Sequence, residues 1–188
     1  FAQLRRREAP AARAMEFLIL NAARSDEVRS MQVKEVSFGK SLWSVPATRT
    51  KSSREHRVPL CAYALKLLNE TISGLAPDNL AFKGGKPGKP LSETAFQNLL
   101  ERMGYGHVTP HGFRSTFKDW AAEMTSFPNE VSEMALAHVI GDKTEAAYRR
   151  GDLFEKRRQL MTAWGEYCLS GEASVAAAND SGPTLRSA

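Results

Sequence analysis

Within TPHGFRSTF, Thr109 to Phe117, a histidine and an arginine stand three residues apart, just after a proline. Thr109 suits a helix N-cap and Pro110 the first helical position. His111 and Arg114 then fall in the first turn or so, where free N–H groups and the helix dipole favour an anion. About thirty residues on, LAHVIGDKTEAAYRR supplies His138 and an isolated Tyr148. Upstream, Arg24 closes the apolar run LILNAA. A guanidinium tucked behind such a run is costly unless it meets an anion. Taken singly, these residues have plainer readings. Tyr148 could be a packed aromatic, His138 a cation at a helix C-terminus, Lys51 a solvated turn lysine, and Arg24 a surface partner of Glu27. His107, His111 and His138 could be imagined around a metal, but no Cys or carboxylate stands at a spacing that completes the set. No metal and no cofactor is expected.

The elements that must position these side chains follow from periodicity. A helix is predicted from about Pro10 to Ala23, with Met15, Leu18 and Ala22 at helical spacing. Three β-like runs follow, MQVKEVSF, LWSVPA and HRVPL, separated by GK and by the basic TRTKSSRE. They predict a small antiparallel sheet whose second turn is a cationic fingertip carrying Lys51. AYALKLLNETI reads as a helix, KGGKPGKP as a loop, and SETAFQNLLERMG as a helix behind an incomplete capping box at Ser92. In the helix opened by Thr109, Phe113, Phe117, Trp120, Ala121 and Met124 form an apolar stripe, with His111, Arg114 and Lys118 projecting together beside it. A helix from about Asn129 to Val139 ends near His138, and Thr144 could cap another that carries Tyr148. The last helix, about Leu153 to Leu169, repeats Leu160, Met161, Trp164, Tyr167 and Cys168. The expected fold is mainly α with a small three-stranded antiparallel β-sheet. One domain is expected over residues 1–170, with a disordered tail over 171–188, where periodicity stops.

Bulk properties set limits. The 188 residues are 42% apolar, enough for one substantial core. No apolar run approaches the ~18 residues of a membrane span. Net charge is +5 with a pI near 9.4, which mildly favours a polyanionic partner. Arg49, Lys51, Arg54, His56 and Arg57 crowd one segment, and Lys83, Lys86 and Lys89 another. Cys61 and Cys168 make no disulfide or metal framework and suit a reducing cytoplasm. The chain opens at Phe1 without a leader-like run, and is expected to be a piece of a longer protein.

In combination, these segments resemble the tyrosine recombinase (phage integrase) family. AARSDEV resembles its first arginine box, giving Arg24. KSSREHRVPL resembles its β-hairpin lysine segment, giving Lys51. HGFR resembles the His-x-x-Arg box, giving His111 and Arg114. LAH gives His138, and AAYRRGDLFEKRRQLMTAW resembles the nucleophile helix of prophage and genomic-island integrases, giving Tyr148. The resemblance runs to about residue 169. The family's N-terminal core-binding and arm-binding domains are not expected within these 188 residues.

The resemblance implies a catalytic domain that cuts and rejoins DNA at attachment sites, for integration or excision of a mobile element. Arginines are permanently charged and bind phosphate oxygens in a fixed fork, so Arg24 and Arg114 would clamp the phosphodiester. Tyr148 would be the nucleophile; only roughly one phenol in a thousand is ionised at neutral pH, so it needs positioning and a proton acceptor. His111 would be that base, His138 a hydrogen-bond donor to a phosphate oxygen, and Lys51 the acid that protonates the leaving 5′ oxygen. The product would be a 3′-phosphotyrosyl link. The resemblance also implies four protomers on two duplexes in the full-length protein, accessory bending or excision factors, no membrane, and residence in the bacterial cytoplasm on the nucleoid. A type IB topoisomerase uses a similar set, and a DNA-binding module that has lost catalysis is the rival from another class.

Overall fold

The computed structural model describes residues 1–138 and 151–180. In chain order the elements are α1 (Ala2–Arg5), α2 (Pro10–Leu20), α3 (Ser25–Arg29), β1 (Val36–Ser37), β2 (Leu42–Val45), β3 (His56–Pro59), α4 (Ala62–Ile72), α5 (Ala95–Arg102), α6 (Gly112–Met124), α7 (Asn129–Ala135) and α8 (Phe154–Asp180), with short 3-10 turns around the strands. Among the described residues no helix is long and apolar enough to cross a membrane.

Helix α2 is the axle. Met15, Phe17, Leu18 and Leu20 are all buried, because PAARAMEFLIL is apolar on nearly every side and must be covered all round. Its one acid, Glu16, is fully buried too. It accepts from Arg13 at 3.0 Å and from the Tyr63 hydroxyl at 2.6 Å, and such pairing is what makes a buried carboxylate tolerable.

The sheet is antiparallel in the order β1-β2-β3, with Trp43 opposite Val58 and Val45 opposite His56. Trp43, Val45 and Val58 face the core. β1 is shorter than MQVKEVSF suggests. Gln32 bridges Leu80 instead, and the Met31 carbonyl accepts from Ala81 at 2.8 Å. A turn over Val33–Glu35 then brings Glu35 beneath Trp43, whose indole N–H it accepts at 3.0 Å.

Helix α6 begins at Gly112, so its N-cap is His111 and not Thr109, whose Oγ1 still accepts from the Gly112 N–H at 3.1 Å. Phe117, Trp120 and Ala121 are buried, whereas Met124 is exposed and leaves the stripe. Trp164 of α8 packs edge-on to Phe117, and its indole N–H donates to the Ile19 carbonyl at 2.8 Å. A Cβ on Gly165 would lie 2.8 Å from the Cys61 sulfur, so α8 meets the start of α4 at a distance only glycine allows. The apolar repeat ends near Leu169, but α8 runs on to Asp180. Alanines at 173 and 176–178 suit a helix there.

Candidate active site

The site is built on two helix ends that meet. At the end of α2, Ala23 N–H reaches back to the Leu18 carbonyl at 3.1 Å and Ala22 N–H to Ile19 at 3.1 Å. At the end of α7, His138 N–H reaches the Glu133 carbonyl at 3.0 Å and Ala137 N–H reaches Met134 at 3.2 Å. This paired pattern is the Schellman termination, whose turning residue is left-handed and usually glycine. Here both turning residues are alanine, Ala22 with φ 45° and Ala137 with φ 51°. The turns aim carbonyls of both helices into one space, at the negative ends of both dipoles.

Two guanidinium groups occupy that space. Arg114, from the first turn of α6, is 4% exposed. It donates to the Ala22 carbonyl in a short contact and to the Leu136 carbonyl at 2.7 Å. Its Nε is buried and has no hydrogen-bond partner among the described residues. Burial, and then the charge of Arg24 close by, pull its pKa down to about 10, with Glu27 opposing, so it stays a cation at neutral pH. Arg24, at the N-cap of α3, donates to Leu136 at 3.3 Å and Ala137 at 3.4 Å. Buried Glu27 holds it in place, accepting from its side chain at 3.0 Å and its backbone N–H at 3.1 Å. Two like charges brought together in a poorly solvated place repel, and an anion between them relieves both.

His138 completes the group. Its Nε2 lies 3.4 Å from the Arg114 guanidinium, and its Nδ1 lies 2.7 Å from Glu133. Glu133 also takes an ion pair from Lys118 at 2.7 Å. Burial alone would raise the Glu133 pKa, but hydrogen bonds from Lys118 and His138 outweigh it and hold it below the usual range. With Nδ1 turned to Glu133, Nε2 is the nitrogen that faces the arginines.

The remaining candidates stand apart. Lys51 is exposed on the β2–β3 loop. The loop's base is pinned by Arg49, which donates to the Glu27 carbonyl at 3.0 Å, to Ser30 Oγ at 2.8 Å, and to Glu35. His111 is exposed at the N-cap of α6, and its ring makes no hydrogen bond among the described residues. The expected trio therefore diverges: Arg114 turns inward, Lys118 is tied to Glu133, and His111 stays at the surface. Tyr148, like Thr144 and Val139, lies outside the described residues.

His56 is a further neighbour, one to which its sequence context assigns no role. Its Nε2 lies 3.2 Å from the Ala135 carbonyl, one residue before the carbonyl that receives both arginines. Burial first, then Arg157, Arg24 and Arg114, drive its pKa down to about 4, against the raising effect of Ala135. It is a neutral donor in a crowd of cations. Its only sequence signal was its place on the inward side of β3.

Residues 2–152 match the model of the phage integrase family, and the chain belongs to that family. It is 34% identical over 162 residues to the prophage integrase IntA of Escherichia coli K12, covering 82% of this chain and 38% of that protein. It is 31% identical to the integrase of Shigella phage Sf6, covering 82% of this chain and 40% of that one. The chain thus spans about two fifths of the length of these relatives. Among solved structures it is similar to XerA recombinase, with a TM-score of 0.52 at 18% identity, covering 84% of this chain and 63% of that one. It is also similar to the Tn1549 transposon integrase in complex with a circular intermediate DNA, with a TM-score of 0.50 at 14% identity, covering 74% and 58%. The fold is that of a tyrosine recombinase catalytic domain.

Proposed function

We propose that this chain is the catalytic part of a site-specific recombinase, with residues 1–170 as the working domain. It would break and rejoin duplex DNA through a 3′-phosphotyrosyl intermediate, to integrate or excise a mobile element. The observation that carries this reading is the meeting of Arg24, Arg114 and His138, from three separate segments, around the Leu136 carbonyl. Two fixed guanidiniums and an imidazole, held by main chain and carboxylates, are suited to the non-bridging oxygens of one phosphodiester. They are in place before charge develops on those oxygens, which is where electrostatic catalysis gains most.

In the proposed reaction the Tyr148 oxygen attacks phosphorus and the bond to the 5′ oxygen breaks. His111 takes the phenol proton and Lys51 gives one to the departing oxygen. Rejoining reverses each transfer and needs no external energy source. The exposure of Lys51 and His111 fits groups that close on DNA as it binds. The partner is duplex DNA carrying attachment sites. The full-length protein would act as a tetramer on two duplexes, with accessory bending or excision factors, on the nucleoid of a bacterial cytoplasm. The Tn1549 integrase, solved with DNA, supports the choice of partner.

The test is a nicked suicide duplex in EDTA. A covalent adduct that maps to Tyr148 is the expected result. A folded, DNA-bound chain that never forms one would leave only a binding module.

A further inference from the structure

A few residues past Tyr148, at Asp152, the chain is gripped. Arg157 is 2% exposed, yet all of its guanidinium nitrogens are used. Nε donates to the Asp152 carbonyl at 2.7 Å, one terminal nitrogen to Asp152 Oδ2 at 2.7 Å, and the other to the Arg57 carbonyl at 2.6 Å. The Arg57 side chain closes the ring, donating to the same Asp152 oxygen at 3.2 Å. Phe154 is held beneath it: the Arg57 guanidinium lies 4.3 Å from its ring centre and that of Arg158 4.8 Å. A buried arginine with three planar bonds fixes the direction of the backbone it holds.

Both ends of this grip matter to the site. Asp152 is four residues after Tyr148. Arg57 sits on β3 directly after His56, which touches the Ala135 carbonyl beside the arginine cradle. Strand β3 is therefore bonded on one side to the cradle and on the other to the chain leaving the nucleophile.

Resting on the reading of Tyr148 as nucleophile, we infer that Arg157, Asp152 and Arg57 are positioning residues: they anchor to β3 the chain that follows Tyr148, and so set how its hydroxyl meets the phosphate held by Arg24 and Arg114. They touch no substrate themselves. A nucleophile displaced by about 1 Å can lose roughly a hundredfold in rate without losing its binding site.

The experiment uses Asp152→Asn, an isostere that keeps the main-chain bond to Arg157, and Arg57→Ala, a change at a half-exposed side chain. Thermal denaturation identifies folded variants, and duplex affinity and adduct formation are measured on each. Expected are affinities within about twofold of wild type and adduct formation slower by roughly 10- to 100-fold. Each change is then repeated in a Tyr148→Phe background with hydrogen peroxide as a free nucleophile. Peroxide attacks the same phosphorus and expels the same 5′ oxygen, but needs no aligned tyrosine. Expected here is no effect of either change on the peroxide reaction. Equal slowing of both reactions would show that the grip supports the arginine cradle instead, and an adduct rate unchanged from wild type would show that it supports nothing in catalysis; either overturns the inference. Failure of wild type to form any adduct would instead overturn the reading of the site.

Discussion

Arg24 and Arg114 donate to one and the same acceptor, the carbonyl oxygen of Leu136, at 3.3 and 2.7 Å. Like charges are held together by a backbone dipole at a helix end rather than by an acid between them. Glu27 attends only Arg24 directly. The arrangement leaves the pair under-neutralised, which is the condition for binding a phosphate tightly.

Tyr148→Phe should abolish the adduct and leave DNA affinity within about twofold, since one hydroxyl is lost. Tyr167, the next phenol along the chain, has its ring stacked on Trp164 and tilted against Trp120. Tyr167→Phe should therefore cleave at the wild-type rate. Peptide mapping of the adduct decides between them, and an adduct on Tyr167 would move the nucleophile into α8.

Lys51→Ala should slow cleavage of ordinary DNA by roughly two to four orders of magnitude, the usual worth of a placed proton donor. Replacing the bridging 5′ oxygen with sulfur removes the need for a donor, because a thiol of pKa about 8.5 leaves as its anion. The variant should then cleave near the wild-type rate. Arg114→Ala should not be rescued, since in the proposed reaction it acts on the non-bridging oxygens, which the substitution leaves unchanged. Equal slowness of Lys51→Ala on both substrates would make Lys51 a phosphate binder.

His138 and Glu133 should act as one unit. His138→Ala removes the ring that faces the arginines and is expected to lower cleavage by about a hundredfold. Glu133→Gln loosens the ring and should lower it less. The double variant should be no slower than His138→Ala alone, because orientation is worthless without the ring. Multiplying losses in single-turnover rates would show that Glu133 works through Lys118 instead.

Acid should weaken the fold through His56. Its pKa is about 4 folded, against the ordinary 6.5. Between these values the unfolded chain takes up a proton that the folded chain refuses, so stability falls as pH drops through that window and is fully present above it. His56→Gln should flatten this part of the profile. Urea midpoints at pH 7 and pH 5 measure it, and an unchanged difference between them in the variant would clear His56.

Ala22→Gly and Ala137→Gly should each stabilise the protein, by up to about 1 kcal/mol. The left-handed turn strains a Cβ by roughly 1–2 kcal/mol, and the greater freedom of unfolded glycine offsets part of the gain. Chemical denaturation checks both, and destabilisation would mean that the alanine methyls contribute packing that outweighs the strain.

Periodicity and turn chemistry made much of this fold legible. AYALKLLNETI became α4 from end to end, and the GK and TRTKSSRE breaks fell between strands. Arg24, Arg114 and His138 were nameable because their types and order suit an anion. Depth was not legible. Nothing local says that Arg114 and Arg157 are buried, since Arg114 donates to the carbonyls of Ala22 and Leu136 and Arg157 to those of Asp152 and Arg57, and every residue carries a carbonyl. Nor does spacing show that Lys118 belongs to Glu133 rather than to His111, a choice made by the packing of α7 on α6. The ends of α2 and α7 were misjudged by a few residues because alanine fills the turn that glycine usually signals.

The carbonyls that seat Arg114 come from Ala22 and Leu136, which lie far apart in the sequence. During synthesis the first emerges long before the second, and neither seats a guanidinium alone. A half-made or partly unfolded chain thus has the arginines but no means of holding them together. On the proposed reading, the capacity to break DNA would arrive only with the finished fold, a safeguard written into the order of translation.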